Sequence, residues 1–88
     1  MSYFAQIVNS IVCEVIVVSD GDCGGGNFPE SEVIGQAFIA AIGLPGEWKQ
    51  TSYNGNFRGT YAGVGYSYDS ENDVFVAPVV DEITAITP

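Results

Sequence analysis

The acidic loop Asp20–Asn27 is the first part of the chain whose side chains could bind a ligand. Asp20 and Asp22 are separated by a single residue, as are the first ligands in the loops that bind Ca²⁺ through carboxylates and carbonyls. The spacing then departs from that pattern, because Gly24 stands at the fifth position and Ser31 at the twelfth, where ligands are needed. We therefore predict a surface turn before a negatively charged helix start. Asp20 and Asp22 remain minor candidates for a metal site.

The chain offers few groups for catalysis. It contains no His, which removes the commonest general base and the commonest metal ligand. Serine and cysteine triads that depend on His are therefore excluded within one chain. Paired carboxylates can cleave glycosides, but Asp69, Glu71 and Asp73 lie in a predicted turn, where solvated charge is the ordinary state. We predict a protein that is not an enzyme and needs no cofactor.

Most of the aromatic residues lie in the segment Glu47–Tyr68, together with both basic residues. Such residues form the core of a small domain, a contact surface for another protein, or a platform for a carbohydrate or peptide, and all three remain open. We expect Arg58 to pair with Asp69 or Asp73, or to stack on a tyrosine. The contact candidates of this segment are Trp48, Tyr53, Phe57, Arg58, Tyr61, Tyr66 and Tyr68.

Two apolar segments near the N-terminus predict a β-hairpin. They are Tyr3–Val8 and the β-branched Ile11–Val18, with Asn9-Ser10 as the turn. The second segment is almost continuously apolar, so both of its faces should be covered in part. Glu14 is the exception, and we expect it near an edge or beside a partner.

A helix is predicted at about Ser31–Ile42. Ser31 is a candidate cap, and Gly43 and Pro45 are typical of the residues that follow a helix. The spacing gives one apolar stripe of the kind that packs on a core. Its members are Ile34, Ala37, Phe38, Ala41 and Ile42.

Strand character returns after the helix. Glu47–Tyr53 alternates, Asn54-Gly55 predicts a tight turn, and Gly63–Asp69 with Asp73–Ala77 predicts a second hairpin. The fold class is therefore α+β: an antiparallel sheet of about 4–5 strands, with a hairpin at each end of the chain and one helix on one face. Residues 1–78 would form a single domain, and 79–88, which include the contact candidates Val79 and Val80, an arm or tail.

Charge and size limit the partners. The net charge is −9 and only Lys49 and Arg58 are basic, so we predict no direct binding to nucleic acid or to a membrane. The longest apolar run, Ala37–Ile42, is also too short to cross a bilayer. A chain of 88 residues buries a modest core, so a protein partner or a homo-oligomer is expected. Cys13 and Cys23 could form a disulfide, but two cysteines without a secretion signal are a weak framework, so we expect free thiols in a reducing cytosol.

The chain resembles a family of short proteins found mainly in tailed bacteriophages of cyanobacteria. The residues that carry the resemblance are Phe4–Ile7, Val15–Val18, Gly46–Arg58 (GEWKQTSYNGNFR), Tyr61–Asp69 (YAGVGYSYD) and Phe75–Pro78. They span nearly the whole chain. Many family members continue into a Pro-rich, Trp-containing tail that this chain lacks.

The resemblance implies an association with virions and attaches no catalytic residue to the motif. We therefore expect a structural protein of the virion, assembled in the host cytoplasm. Its first expected role is that of a capsid decoration or cement protein bound to the major capsid protein lattice. A component of the tail, neck or fibre is the alternative, and a small module that binds a host protein or a carbohydrate is another.

Overall fold

The N-terminal hairpin forms the centre of the sheet. In a computed structural model, which describes residues 1–78, strands β1 (Ser2–Val8) and β2 (Ile11–Val18) pair antiparallel from Ser2↔Val18 to Val8↔Ile11. Asn9 and Ser10 form the turn, with φ of 53° and 66°. Positive φ at both central residues matches the right-handed twist of the strands. The predicted hairpin and its turn are confirmed.

A β-bulge at Cys13 sets which side chains of β2 share a face. The register passes from Gln6↔Glu14 to Ile7↔Val12, so Cys13 has no partner on β1. The extra residue lets Val12 and Val15 lie on the same side of the sheet, although they are three positions apart. Cys13 is exposed, and its thiol donates to Gln6 Oε1 at 3.2 Å.

The remaining strands extend the sheet on both sides, in the order β3-β1-β2-β4-β5. Strand β3 (Glu47–Thr51) pairs with β1, from Tyr3↔Thr51 to Ile7↔Glu47. Strands β4 (Ser67–Asp69) and β5 (Val74–Val76) form the second hairpin, which joins β2 through Ile11↔Ser67. Within residues 1–78, five antiparallel strands and one α-helix confirm the predicted α+β class.

Each face of the sheet carries its own apolar cluster. The helix-side cluster consists of Phe4, Val18, Cys23, Ile39 and Trp48. The cluster on the opposite face consists of Ala5, Ile7, Val12, Ala62 and Phe75, with Tyr66 and Tyr68 packed against it. Strand β2 contributes to both, as its composition predicts, and Glu14 is exposed.

Helix α1 (Glu30–Ala41) packs on the sheet through a different side from the predicted one. The buried residues are Ser31, Gly35 and Ile39, with Phe38 partly buried. Most of the predicted stripe (Ile34, Ala37, Ala41 and Ile42) is exposed. Gly35 explains the difference: a Cβ built on it would lie 2.3 Å from Phe4 Cζ, so the helix approaches the sheet most closely where it has no side chain.

The predicted cap at Ser31 is also wrong. Pro29 holds the N-cap position and makes no side-chain cap bond. Ser31 lies inside the first turn and is buried, and its hydroxyl donates to Gln50 Oε1 at 2.9 Å. The helix bounds differ from the prediction by one residue at each end. No helix within residues 1–78 is long and apolar enough to cross a membrane.

The region between β3 and β4 is mostly irregular. The turn predicted at Asn54-Gly55 lies one residue earlier: Gly55 N donates to Ser52 O at 3.0 Å, so Tyr53 and Asn54 are the central residues and Gly55, with φ of 70°, follows them. The predicted strand Gly63–Asp69 shortens to Ser67–Asp69. Its first half is a turn in which Tyr66 N donates to Gly63 O at 3.0 Å.

Candidate functional site

Arg58 lies at the centre of the Glu47–Tyr68 segment and is largely enclosed by the protein. Its side chain is 7% exposed. The guanidinium donates to both carboxylate oxygens of Glu32 in the first turn of α1. It also donates to Gln50 O of β3 at 3.0 Å and to Asp73 Oδ1 at 2.8 Å. Such forked pairing suits the planar geometry of arginine.

The hydrogen bonds of Arg58 join the two edge strands of the sheet, β3 and β5. Gln50 belongs to β3 at one edge, while Phe75 N of β5 at the other edge donates to Arg58 O at 3.0 Å. Lys49 Nζ of β3 also lies 5.6 Å from the ring centre of Tyr68 in β4. Opposite edges can meet in this way only if the sheet curls around the cluster that holds Phe75. Arg58 therefore links the two edge strands of the sheet. Its own backbone has a φ of 58°.

The prediction for the partner of Arg58 was partly right. Asp73 is a partner, whereas Asp69 instead accepts from the Asn72 side chain at 2.7 Å. The aromatic contact is with Phe28, whose ring centre lies 5.0 Å from Arg58 Cζ, and not with a tyrosine. The ring of Phe57 stacks on that of Phe28, with 3.9 Å between the two ring centres.

Charge and burial shift the titration of this cluster. Burial works to lower the pKa of Arg58, but the bonds and charges of Glu32 and Asp73 outweigh it and raise that pKa. The hydrogen bond from Tyr68, followed by Arg58, holds the pKa of Asp73 below its usual range. Burial and then the bond to Asp73 raise the pKa of Tyr68 to about 12. Each of these three shifts favours the form present at neutral pH: the charged form of Arg58 and of Asp73, and the neutral form of Tyr68.

Two further contact candidates belong to the core. Trp48 is 6% exposed, and its indole Nε1 donates to Pro45 O at 3.1 Å. Tyr66 packs on the cluster opposite the helix, close to Gly63. A Cβ at Gly63 would lie 3.1 Å from the Tyr66 ring, so Tyr66 also packs closely on the backbone of the irregular segment.

Tyr53 and Tyr61 form an aromatic group at the surface together with Tyr3. Tyr53 is 63% exposed, and its ring stacks on Tyr3 at 5.6 Å between centres. Tyr61 meets Tyr53 edge-on at 5.1 Å and Tyr3 at 5.6 Å. Burial raises the pKa of Tyr61, with Tyr3 and Tyr53 adding to the shift. We call these three residues the tyrosine cluster. Sequence reasoning missed Tyr3, although its place on the strand beside β3 could have indicated it.

The acidic loop is stabilised by its own contacts. Asp20–Cys23 forms a 3₁₀ helix capped by Ser19, whose hydroxyl accepts from Asp22 N at 3.3 Å and donates to Asp22 Oδ2 at 2.8 Å. Asp20 accepts from the Met1 amino group at 2.9 Å, which is the main reason that its pKa is lowered. Across the described residues, no group of three Asp, Glu or Cys side chains comes together as metal ligands.

The outward side of α1 is an exposed apolar surface that the sequence prediction placed against the core. No charged residue lies between Val33 and Gly46. Val33 is 66% exposed, Ile42 54% and Leu44 39%. We call this surface the outer face of α1; its members are Val33, Ile34, Ala37, Ala40, Ala41, Ile42 and Leu44. The sequence signal that could have indicated this exposed face is the absence of charged residues beyond the first turn of α1. A helix that is apolar on every side is normally buried by other parts of a protein.

Comparison with known proteins adds no family to these observations. No protein-family model, curated protein or solved structure matches the chain at a significant level. The contact candidates Val79 and Val80, and the predicted arm 79–88, lie outside the described residues.

Proposed function

We propose that this protein is a non-enzymatic structural component of a tailed-phage virion, most simply a decoration or cement protein on the major capsid protein lattice. The resemblance of Gly46–Arg58 and Tyr61–Asp69 to the cyanobacterial phage family supports the virion assignment. A component of the tail, neck or fibre is the alternative location.

The observation that carries the proposal is the outer face of α1. Contiguous exposed apolar surface on a small protein marks an interaction site. This chain has a net charge of −9, yet Val33–Gly46 carries none of it. The face therefore complements an uncharged surface, and a capsid lattice presents the same surface many times. Repetition strengthens a small interface through avidity.

The network around Arg58 supports a binding role over a catalytic one. Its carboxylates, Glu32 and Asp73, are both occupied by the guanidinium. A catalytic carboxylate must reach the group on which it acts, whereas both of these carboxylates are already bound to the Arg58 side chain. The pair with Glu32 also holds α1 against Gln50 of β3, so it fixes the orientation of the outer face.

The location can be tested on purified particles. Mass spectrometry should find this chain in the virion, and an electron-microscopy map should place its density on the head. Density on the tail would support the alternative location. Absence of the chain from virions would contradict the structural role altogether.

The contact face can be tested by placing a charge in it. Val33→Asp should weaken binding to phage heads that lack this protein by at least about tenfold, because an unpaired carboxylate would be buried at the interface. Val64→Asp is the matched control, since Val64 is 71% exposed and lies outside α1. Light scattering of the isolated protein tests whether a second copy of the chain, and not the capsid, covers this face. A dimer that Val33→Asp dissociates would mean that a second copy does so.

A further inference from the structure

We propose that the tyrosine cluster and the concave surface beside it bind a neutral carbohydrate. The concavity lies where β1 begins and β3 ends, and it has a volume of about 420 Å³. It is separate from the outer face of α1, because none of the residues that line it belongs to that helix or to the outer face. The proposal therefore stands apart from the capsid role.

The exposed ring of Tyr53 supplies the stacking surface. The face of an aromatic ring is negative and attracts the weakly positive C–H groups of a sugar. Tyr53 is 63% exposed, but its orientation is fixed by the stack on Tyr3 and by the edge of Tyr61. A ring that is already ordered loses little conformational freedom when a ligand stacks on it.

Polar side chains beside the ring supply the hydrogen bonds that a sugar needs. Asn54 and Asn56 line the concavity and are exposed. Each amide offers two donors and an acceptor, which suits paired hydroxyl groups. Asn56 N donates to Ser52 Oγ at 2.9 Å, so the backbone of this loop is held in place while the amides remain at the surface.

The lack of a free cation decides between ligand classes. No Asp, Glu, Lys or Arg side chain of the described chain lines the concavity, and the one cation there, the amino group of Met1, is already paired with Asp20 at 2.8 Å. A phosphate or an acidic sugar would have to displace Asp20 from that amino group and would meet a protein of net charge −9. Nucleic acid bases also stack on tyrosines, but the phosphates that accompany them need basic residues. A neutral oligosaccharide has the hydroxyl groups that match the amides and carries no charge.

A glycan array that contains neutral and acidic glycans is the first experiment. The full chain should retain neutral glycans and reject sialylated ones. Isothermal titration with a retained neutral oligosaccharide should then show a loss of about tenfold or more in affinity for Tyr53→Ala, because the stacking ring is removed. Tyr53→Phe keeps the ring and should stay within about threefold of the parent affinity, since only the hydroxyl is lost.

Two controls separate loss of binding from loss of structure. Val64→Ala changes an exposed side chain that does not line the concavity, and it should leave the affinity unchanged. Thermal unfolding followed by the fluorescence of Trp48 should show that Tyr53→Ala folds as the parent does. Three results would overturn the proposal: retention of no neutral glycan, preference for acidic glycans, or an affinity that Tyr53→Ala leaves unchanged.

Discussion

Replacing Gly35 by Ala tests the close contact on which the orientation of α1 depends. In an open helix this change is favourable by about 1 kcal/mol, because Gly has a low helix propensity. Here the new Cβ would lie 2.3 Å from Phe4 Cζ and 3.0 Å from Cys23 Sγ. Phe4 is 0% exposed and Cys23 1%, so neither side chain can move into solvent.

The expected sign follows from comparing these two effects. Extra methylenes in a well-packed core cost about 1–3 kcal/mol, and the contact with a fixed aromatic ring points to the upper part of that range. After subtraction of the helix gain, Gly35→Ala should destabilise the protein by about 1–2 kcal/mol. For a domain of this size, that lowers the Tm by roughly 4–16 °C.

Denaturant unfolding followed by Trp48 fluorescence measures this change, because Trp48 is the single Trp and is 6% exposed. Gly21→Ala is the matched control: nothing lies within 4 Å of its added Cβ, and we expect it to be neutral or stabilising by up to about 1 kcal/mol. Adding Phe4→Leu to Gly35→Ala should recover part of the loss, because the smaller leucine side chain removes the clash. A double-mutant cycle measures this coupling between the two positions. A stabilising Gly35→Ala, or a cycle without coupling, would refute the packing argument.

Three further predictions concern the Arg58 network and the thiols. Arg58→Met should destabilise the fold by about 3 kcal/mol or more, because it leaves the Glu32 carboxylate, 12% exposed, without its partner; the double variant with Glu32→Gln should recover part of that loss in the same unfolding assay. In an alkaline titration at about 295 nm, where tyrosinate absorbs, Tyr68 should ionise near pH 12, and Tyr68→Phe should remove that late component. Its raised pKa contributes stability below about pH 10 that is lost as the pH rises through 12, whereas the lowered pKa of Asp73 contributes stability above about pH 4 that is lost on further acidification. Finally, a thiol reagent should label the exposed Cys13 in the native protein and reach the buried Cys23 only after unfolding; rapid labelling of both would contradict the packing of Cys23.

Local signals in the sequence were sufficient for the elements of this fold. Two of these elements, the β-branched run Ile11–Val18 and the Asn9-Ser10 turn, depend on residues that are neighbours in the chain. The shortened β4 is a different case, because Gly65 has φ of 93° and turns the chain before Ser67. A glycine in an alternating segment is compatible with either a strand or a turn.

The packing of α1 could not be read from its periodicity. Apolar residues surround the helix beyond its first turn, so spacing does not select a buried side. The selection comes from close approach at Gly35, which depends on the shape of Phe4 on a distant strand. The pairing of Arg58 with Glu32 is similarly hidden, because the residues are 26 positions apart and several carboxylates compete for one guanidinium.

These two long-range features together determine what the surface offers to partners. Close approach at Gly35 leaves the outer face of α1 turned away from the sheet, and Arg58 fixes the helix start to β3 through Glu32 and Gln50. The same strand β3 leads into Tyr53 at its far end, so one rigid edge links the outer face of α1 to the tyrosine cluster. If the helix face binds a lattice, the cluster remains accessible at the end of the sheet. A variant that removes the bonds of Arg58, such as Arg58→Met, should therefore weaken binding through both the outer face of α1 and the tyrosine cluster. Val33→Asp should affect only the first of these surfaces, and Tyr53→Ala only the second.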